Sequence, residues 1–156
     1  MDVRIETLPT FDLITSFALG PYPSSAPKAW DQLWAHLKQQ TAITPQQMIG
    51  FGLDSPTCTP EHLLRYVAAS TYNGTAEAVP EHQIYPMTIK GGKYAIYTMQ
   101  GPYQNMPTYF EKLMHEWLPS TDHQLDISRP FLEIYLNNPF ETEEKDYLTD
   151  LHIPLL

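Results

Sequence analysis

Apolar residues recur along this chain at two spacings, one typical of strands and one typical of helices, and together they predict its secondary structure. Short runs that are alternately or continuously apolar predict eight strands. Their predicted bounds are Val3–Leu8, Phe11–Leu19, Met48–Leu53, Arg65–Tyr72, Met87–Ile89, Tyr94–Met99, Phe131–Leu136 and Leu148–Pro154. Lys90-Gly91-Gly92-Lys93 is typical of a hairpin turn and predicts that the strands on either side of it pair, whereas the stretch 72–86 is predicted to be a loop.

Two predicted helices interrupt these strands, and each carries one apolar stripe with the spacing i, i+3, i+4 and i+7. The stripes are Trp30, Leu33, Trp34 and Leu37 in the first helix and Phe110, Leu113, Met114 and Trp117 in the second. Ser25-Ala26-Pro27 and Asn105-Met106-Pro107 are typical of helix starts, each with a capping residue followed by proline. We interpret both stripes as contributions to a core.

The two helices belong to an internal repeat. Gly20-Pro21-Tyr22 recurs 81 residues later as Gly101-Pro102-Tyr103, and Ser55-Pro56 is matched 83 residues later by Asn138-Pro139. The pattern predicts one α+β domain over residues 1–156, with repeat 1 at about 1–80 and repeat 2 at about 81–156. Each repeat is a strand–helix–strands unit, the sheets are mostly antiparallel, and a cleft between the halves is the expected place for a ligand.

The strand Phe131–Leu136 carries the most informative chemistry. Side chains alternate faces along a strand, and we assign Leu132, Ile134 and Leu136 to the face that the helix covers. Phe131, Glu133 and Tyr135 then line the cleft. A carboxylate between two aromatic rings suits a cationic aromatic ligand, and partial burial would make Glu133 a candidate general acid or base. The same pattern equally suits an exposed glutamate on an edge strand.

The first repeat places glycines where the second has these side chains. At an offset of 83 residues, Gly50 aligns with Glu133 and Gly52 with Tyr135, so the first repeat is predicted to leave space for a ligand. Other aromatic residues on predicted strands are candidate ligand contacts. They are Phe51, Tyr94 and Tyr97.

Charge and composition narrow the function. The 156 residues have a net charge of −9 and no Lys/Arg cluster, which argues against direct nucleic-acid binding. The sequence has no metal-ligand spacing and no nucleotide-binding loop, so neither a metal nor a cofactor is predicted. It also has no signal peptide and no apolar run of membrane-spanning length, so we expect a cytoplasmic protein without a membrane partner.

Several motifs in their order resemble the GyrI-like (SbmC-like) family, and the resemblance spans nearly the whole chain. They are the run from Arg129 to Asn138, Ile89 to Ala95, the paired Gly-Pro-Tyr motifs, Asp54-Ser55-Pro56 with Thr59-Pro60, and Leu148 to Pro154. The family includes DNA gyrase inhibitory proteins and effector-binding domains of multidrug-sensing transcription regulators. The resemblance implies that Glu133 is the central pocket glutamate. One departure is Met99, where many relatives carry histidine.

The resemblance leaves three functions to weigh. The first is a stand-alone protein, without a DNA-binding segment, that binds hydrophobic and often cationic drugs or metabolites. The second is a hydrolase of electrophilic, cyclopropane-type compounds in which Glu133 is catalytic and activates water. The third is a DNA gyrase inhibitory protein, with gyrase as its partner. We favour the first because a carboxylate flanked by aromatic residues supports it from the sequence itself.

Overall fold

The structure is a computed structural model that describes every residue, Met1–Leu156. The chain forms two compact units, Phe11–Ile89 and a second unit made of Met1–Thr10 with Lys90–Leu156. The elements in chain order are β1 (Val3–Leu8), β2 (Phe11–Leu19), α1 (Tyr22–Gln39), β3 (Ile43–Gly52), β4 (Arg65–Gly74), β5 (Ile84–Ile89), β6 (Gly92–Gln100), α2 (Met106–Lys112), β7 (Leu132–Tyr135) and β8 (Leu148–Pro154).

The unit Phe11–Ile89 is an antiparallel sheet in the order β3-β4-β2-β5, with α1 against one face. The apolar stripe predicted for this helix meets residues that alternate along β2 and β4. The buried cluster that results comprises Ile14, Ala18, Ala29, Leu33, Leu37, Ile43, Tyr66, Ala68 and Ile84. The stripe is therefore core, as predicted, with Trp30 and Trp34 partly buried at its margin.

The second unit has an antiparallel sheet in the order β1-β6-β8-β7. One face is covered by α2 and by the irregular helical turns that continue it to Ser120. The buried cluster beneath comprises Ala95, Met99, Met106, Leu113, Leu151, Ile153 and Leu155. The predicted α+β class with antiparallel sheets is confirmed.

The same turn follows the first long strand of each unit. Gly20 and Gly101 have φ angles of +122° and +115°, a region that glycine adopts readily and other residues rarely. The N–H of Gly20 donates to the Leu64 carbonyl and that of Gly101 to the Tyr147 carbonyl, both at 2.9 Å. The positive φ explains why glycine stands at the first position of both Gly-Pro-Tyr motifs. The tandem duplication itself stays a prediction that these parallels support.

The predicted hairpin at 90–93 is wrong. β5 pairs with β2, and β6 pairs with β1, so the strands on either side of the two glycines lie in different units. The glycines serve another purpose, because a Cβ atom on Gly91 would lie 2.4 Å from the Leu8 carbonyl oxygen. Gly91 also donates its N–H to Thr10 Oγ1 at 3.1 Å. The residue thus permits close approach to the chain that leaves β1.

Two smaller predictions also need correction. The stretch 72–86 is not a continuous loop, because β4 extends to Gly74 and β5 begins at Ile84. Helix α1 begins at Tyr22 rather than after Ser25, with a proline in its first two positions and Pro27 inside it. Proline fits the first turn because the N–H that it lacks has no helical partner there. Neither helix combines the length and the hydropathy that crossing a bilayer would require.

Candidate ligand-binding site

The face of β7 that carries Glu133 is the face that α2 covers. Glu133 lies opposite Leu151 of β8, a buried member of the core under α2, and opposed residues of antiparallel strands share a face. Phe131 and Tyr135 pack against the same cluster. The prediction that these three residues lie on the face away from the helix is therefore wrong.

The reason for this error lies in the apolar side chains that alternate with the three. Leu132 and Ile134 are 0% and 3% exposed although α2 covers the other face, so the face of β7 without the helix is buried as well. A strand that is buried on both sides does not reveal from its pattern which face lies under a helix. Leu136, which was predicted to belong to the same apolar set, is 46% exposed and lies beyond the end of the strand.

Glu133 is half-buried and accepts a hydrogen bond from a neighbouring phenol. The Tyr135 hydroxyl donates to Glu133 Oε2 at 2.8 Å. The two residues are separated by one position along β7, and their side chains reach each other because they point to the same face. This hydrogen bond orients the carboxylate and places a phenol hydroxyl beside it.

Aromatic pairs surround this carboxylate within the second unit. Tyr135 meets Tyr103 edge to face with ring centroids 5.2 Å apart, and Phe131 meets Phe110 of α2 at 5.7 Å. Tyr103 also stacks on Tyr147 at 4.6 Å. Burial, with a smaller contribution from Tyr147, raises the pKa of Tyr103 to about 12, so its phenol stays neutral at physiological pH.

A third aromatic pair lies on the same face further across the sheet. Tyr97 of β6 is opposite Leu151, which is in turn opposite Glu133, and it stacks on Tyr109 of α2 at 5.2 Å. The Lys112 ammonium lies over the Tyr109 ring, 5.4 Å from its centroid. Tyr97, a candidate ligand contact from the sequence, therefore shares a face with Glu133, and one ring of this group already attracts a cation.

Tyr94 lies on the opposite face of β6 and therefore cannot join Glu133. It is fully buried and lies under the Arg129 guanidinium, whose carbon is 4.7 Å from the ring centroid. Arg129 in turn donates to Asp126 Oδ2 at 2.7 Å and to the Leu155 carbonyl at 2.7 Å. Burial raises the pKa of Tyr94. These contacts make Tyr94 part of a packed cluster on the other face of the sheet, and its role as a ligand contact stays a prediction.

In the first unit, Gly52 lies beneath an aromatic ring. A Cβ atom on Gly52 would lie 2.5 Å from the hydroxyl oxygen of Tyr22 and 2.6 Å from its Cζ. The hydroxyl donates to the Asp54 carbonyl and accepts from the Asp54 N–H. The space that the sequence suggested for a ligand is filled at Gly52 by Tyr22, the tyrosine of the first Gly-Pro-Tyr motif.

Gly50 shares the helix-covered face with Gly52, whereas Phe51 does not. Gly50 and Gly52 are opposite Ala68 and Tyr66 of β4, which belong to the core under α1. Phe51 points to the other face and is 1% exposed, so it cannot line a surface with the two glycines. Its role as a ligand contact stays a prediction.

Aromatic residues also gather on this face of the first unit. The Trp30 indole N–H donates to the Tyr66 hydroxyl at 3.1 Å, and the Trp30 and Trp34 rings are 6.5 Å apart. Tyr66 meets Tyr22 edge to face at 6.0 Å. Trp30 and Trp34, which belong to the predicted core stripe of α1, therefore form a group of aromatic rings together with Tyr66 and Tyr22.

A separate shallow cavity of about 230 Å³ lies at the C-terminal end of α1. Its lining residues are His36, Gln39, Gln40, Val79 and His82. Burial and the neighbouring His82 lower the pKa of His36, which keeps that imidazole neutral at physiological pH. No residue predicted for the ligand site lines this cavity.

The family model of the GyrI-like small molecule binding domain matches residues 1–156. The chain belongs to the GyrI-like family. The EcmrR C-terminal domain is a solved GyrI-like neighbour, with a TM-score of 0.82 and 14% identity over 99% of this chain and 97% of that domain. In the EcmrR–DNA complex the same similarity covers 99% of this chain but only 57% of the EcmrR chain, so this chain spans little more than half of its length.

Two further neighbours share the GyrI-like fold. SAV2435 bound to tetraphenylphosphonium has a TM-score of 0.64 and 16% identity over 100% of this chain and 94% of that chain. A hydrolase from Listeria innocua has a TM-score of 0.63 and 14% identity over 99% of this chain and 91% of that chain. At such identities these similarities show the fold. The family membership makes this chain a small-molecule binding domain.

Three aromatic residues of the site in the second unit were missed by sequence reasoning. They are Tyr103, Tyr109 and Tyr147. Tyr103 lies in the second Gly-Pro-Tyr motif, and that repeat was a signal that could have found it. Tyr109 and Tyr147 gave no such signal, because only the packing of α2 and of the chain before β8 on the sheet brings them close.

Proposed function

We propose that this GyrI-like chain binds hydrophobic, positively charged small molecules at a site centred on Glu133. The single observation that carries the proposal is a half-buried carboxylate on the helix-covered face of β7, with aromatic pairs at the positions two residues before and two residues after it. A delocalised cation interacts favourably with both a carboxylate and the faces of aromatic rings. Ordinary hydrated ions would gain less, because they would lose water without covering the rings.

The charge of the protein and the chemistry of one neighbour support this choice of ligand. A net charge of −9 favours the approach of cations and disfavours anions. SAV2435, which shares the fold, is a protein bound to tetraphenylphosphonium, a large aromatic cation. DNA gyrase as a partner finds no support in the comparisons.

The proposal is tested by calorimetric titration of tetraphenylphosphonium into the wild type and into Glu133→Gln. The amide keeps the shape of the side chain and removes its charge, so we expect affinity to fall about tenfold or more, equivalent to roughly 1.4 kcal/mol. Glu77→Gln, the same change in an exposed loop, is the matched control and should bind like the wild type. Triphenylphosphine oxide, which is neutral, should bind weakly to every variant.

Two results would reject this function. One is the absence of any heat or thermal shift with tetraphenylphosphonium at millimolar concentration. The other is equal affinity of the wild type and Glu133→Gln, which would mean that the carboxylate does not contact the cation. Tyr135→Phe refines the test, because it keeps the ring and removes only the hydroxyl that donates to Glu133. We expect this variant to lose less affinity than Glu133→Gln.

Hydrolysis of an electrophilic small molecule is the second candidate, and the Tyr135–Glu133 hydrogen bond favours it specifically. In this reaction Glu133 would take a proton from water while the water oxygen attacks a cyclopropane carbon. The electrons of the broken ring bond would pass to a conjugated carbonyl, which Tyr135 would protonate, and Glu133 would return the proton it took from water to Tyr135 through their hydrogen bond. Mass spectrometry of a cyclopropane-bearing alkylating compound tests it. Product formed by the wild type but not by Glu133→Gln or Tyr135→Phe supports catalysis, and product formed equally by all three excludes it.

A further inference from the structure

The outermost strands of the two units differ in how their free edges are protected. β5, which ends the order β3-β4-β2-β5, contains Pro86 and therefore has one fewer N–H to offer another strand. β1, which ends the other sheet, has no proline between Val3 and Leu8. Its four middle residues are exposed. An exposed edge without proline is a template for a further strand.

The sequence of β1 is complementary to itself in one register. If two copies pair antiparallel with Ile5 opposite Ile5 of the second copy, Arg4 of each lies opposite Glu6 of the other. Opposed residues share a face and their side chains come within contact distance, so both pairs join opposite charges. Ile5 is 44% exposed, and this register would cover it with the same apolar residue.

Arg4 has hydrogen-bonding capacity left for such a contact. Its Nε donates to Glu6 Oε1 at 2.7 Å, its Nη1 donates to Thr98 Oγ1 at 2.9 Å, and its Nη2 is paired with Asp150. These contacts use three of the five N–H donors of a guanidinium. The Arg4 side chain is 43% exposed and is held in place by Asp150. Pairing with a second carboxylate would therefore cost little further side-chain entropy.

We propose that β1 is a docking edge for a second copy of this chain, and that the two copies form a symmetric dimer by pairing their β1 strands about Ile5. The arrangement is isologous, because both copies contribute the same strand and each contact occurs twice. Six residues of strand form a small interface, so the dimer is weak and depends on protein concentration.

Sedimentation of the full chain over a range of concentrations tests the association, and Glu6→Lys tests its register. This variant changes the net charge from −9 to −7, which lowers the general repulsion between copies. It also places a lysine opposite Arg4 in both cross-strand pairs, so we expect dimerisation to weaken roughly tenfold. Glu77→Lys, with the same change in net charge in an exposed loop, should dimerise as well as the wild type or better.

Disulfide trapping gives a second, independent measurement in a background where the exposed Cys58 is replaced by serine. In the proposed register, Ile5→Cys brings two Cα atoms to about 5 Å, within reach of a disulfide. Thr7→Cys places them about 13 Å apart, beyond that reach. We expect at least about fivefold more crosslinked dimer from Ile5→Cys on non-reducing gels.

Three results would overturn the proposal. The first is a monomer at every concentration, and the second is equal crosslinking of Ile5→Cys and Thr7→Cys. The third is a dimer that Glu6→Lys does not weaken. Circular dichroism of each variant before the assays checks that the exposed substitutions leave the fold intact. Ile5→Lys, which opposes two lysines at the symmetry axis, should abolish the dimer in a folded protein.

Discussion

The contact between Gly52 and Tyr22 allows the energetic cost of a side chain at position 52 of β3 to be measured directly. A Cβ atom at position 52 would lie 2.5 to 2.9 Å from three atoms of the Tyr22 ring. Ordinary contacts between such atoms are about 3.5–4.0 Å, so Gly52→Ala must displace the ring by about 1 Å. The ring cannot move that far and keep its hydroxyl in place.

The cost follows from what the ring would lose. The Tyr22 hydroxyl bridges the carbonyl and the N–H of Asp54, and each hydrogen bond contributes about 0.5–1.5 kcal/mol. Overpacking adds about 1–3 kcal/mol of strain. We therefore expect Gly52→Ala to lower the free energy of unfolding by roughly 2–4 kcal/mol.

A double-mutant cycle isolates this contact. In a Tyr22→Ala background no ring opposes the new Cβ, so Gly52→Ala should become neutral. The loss of unfolded-state entropy that alanine brings can then raise the free energy of unfolding by about 0.4–1 kcal/mol, because alanine restricts the unfolded chain more than glycine. Urea unfolding followed by the fluorescence of Trp30 and Trp34, which lie in the same core, measures all four proteins.

The decisive quantity is the coupling energy between the two positions. We expect about 2 kcal/mol or more, since the two residues are in direct contact. A coupling below about 0.5 kcal/mol would refute the reasoning, because the cost of alanine would then not come from the ring. If Gly52→Ala instead left stability unchanged and weakened ligand binding, Gly52 would serve the ligand, as the sequence first suggested.

Two further predictions concern stability in other parts of the fold. Burial lowers the pKa of His152 to about 4 from a usual value of 6.5, so the unfolded chain binds a proton in this window that the folded protein does not. Because of this residue, the free energy of unfolding should fall by roughly 3 kcal/mol as pH drops from 6.5 to 4. In urea unfolding, His152→Gln should lose less of its free energy of unfolding over this pH range than the wild type. An equal loss in both proteins would contradict this. Gly20→Ala and Gly101→Ala should each cost about 1–3 kcal/mol in thermal unfolding because of their positive φ angles, and a neutral result at either would show that its turn accepts a side chain.

The sequence by itself determined the class of fold, most of the strands and the family. Periodicity located α1 and the core stripes, because a helix that packs on a sheet must bury one side at a spacing of three and four residues. The repeated Gly-Pro-Tyr marked a turn whose positive φ excludes most other residues. The sequence also identified Glu133 as a charged residue between two aromatic residues, because Phe131 and Tyr135 flank it at a spacing of two and such spacing places side chains on one face of a strand.

Only the tertiary structure decided which strands pair and which face each residue occupies. The two glycines at 91 and 92 suit a hairpin locally, yet β5 joins β2 and β6 joins β1 because pairing depends on partners distant in the chain. Both faces of β7 pack against other parts of the protein, so its alternation does not say which side lies under α2 and the prediction for Glu133 was inverted. A residue's neighbours along the chain fix its local conformation, whereas the surface that it shares with other residues is fixed only when the sheet and helix pack.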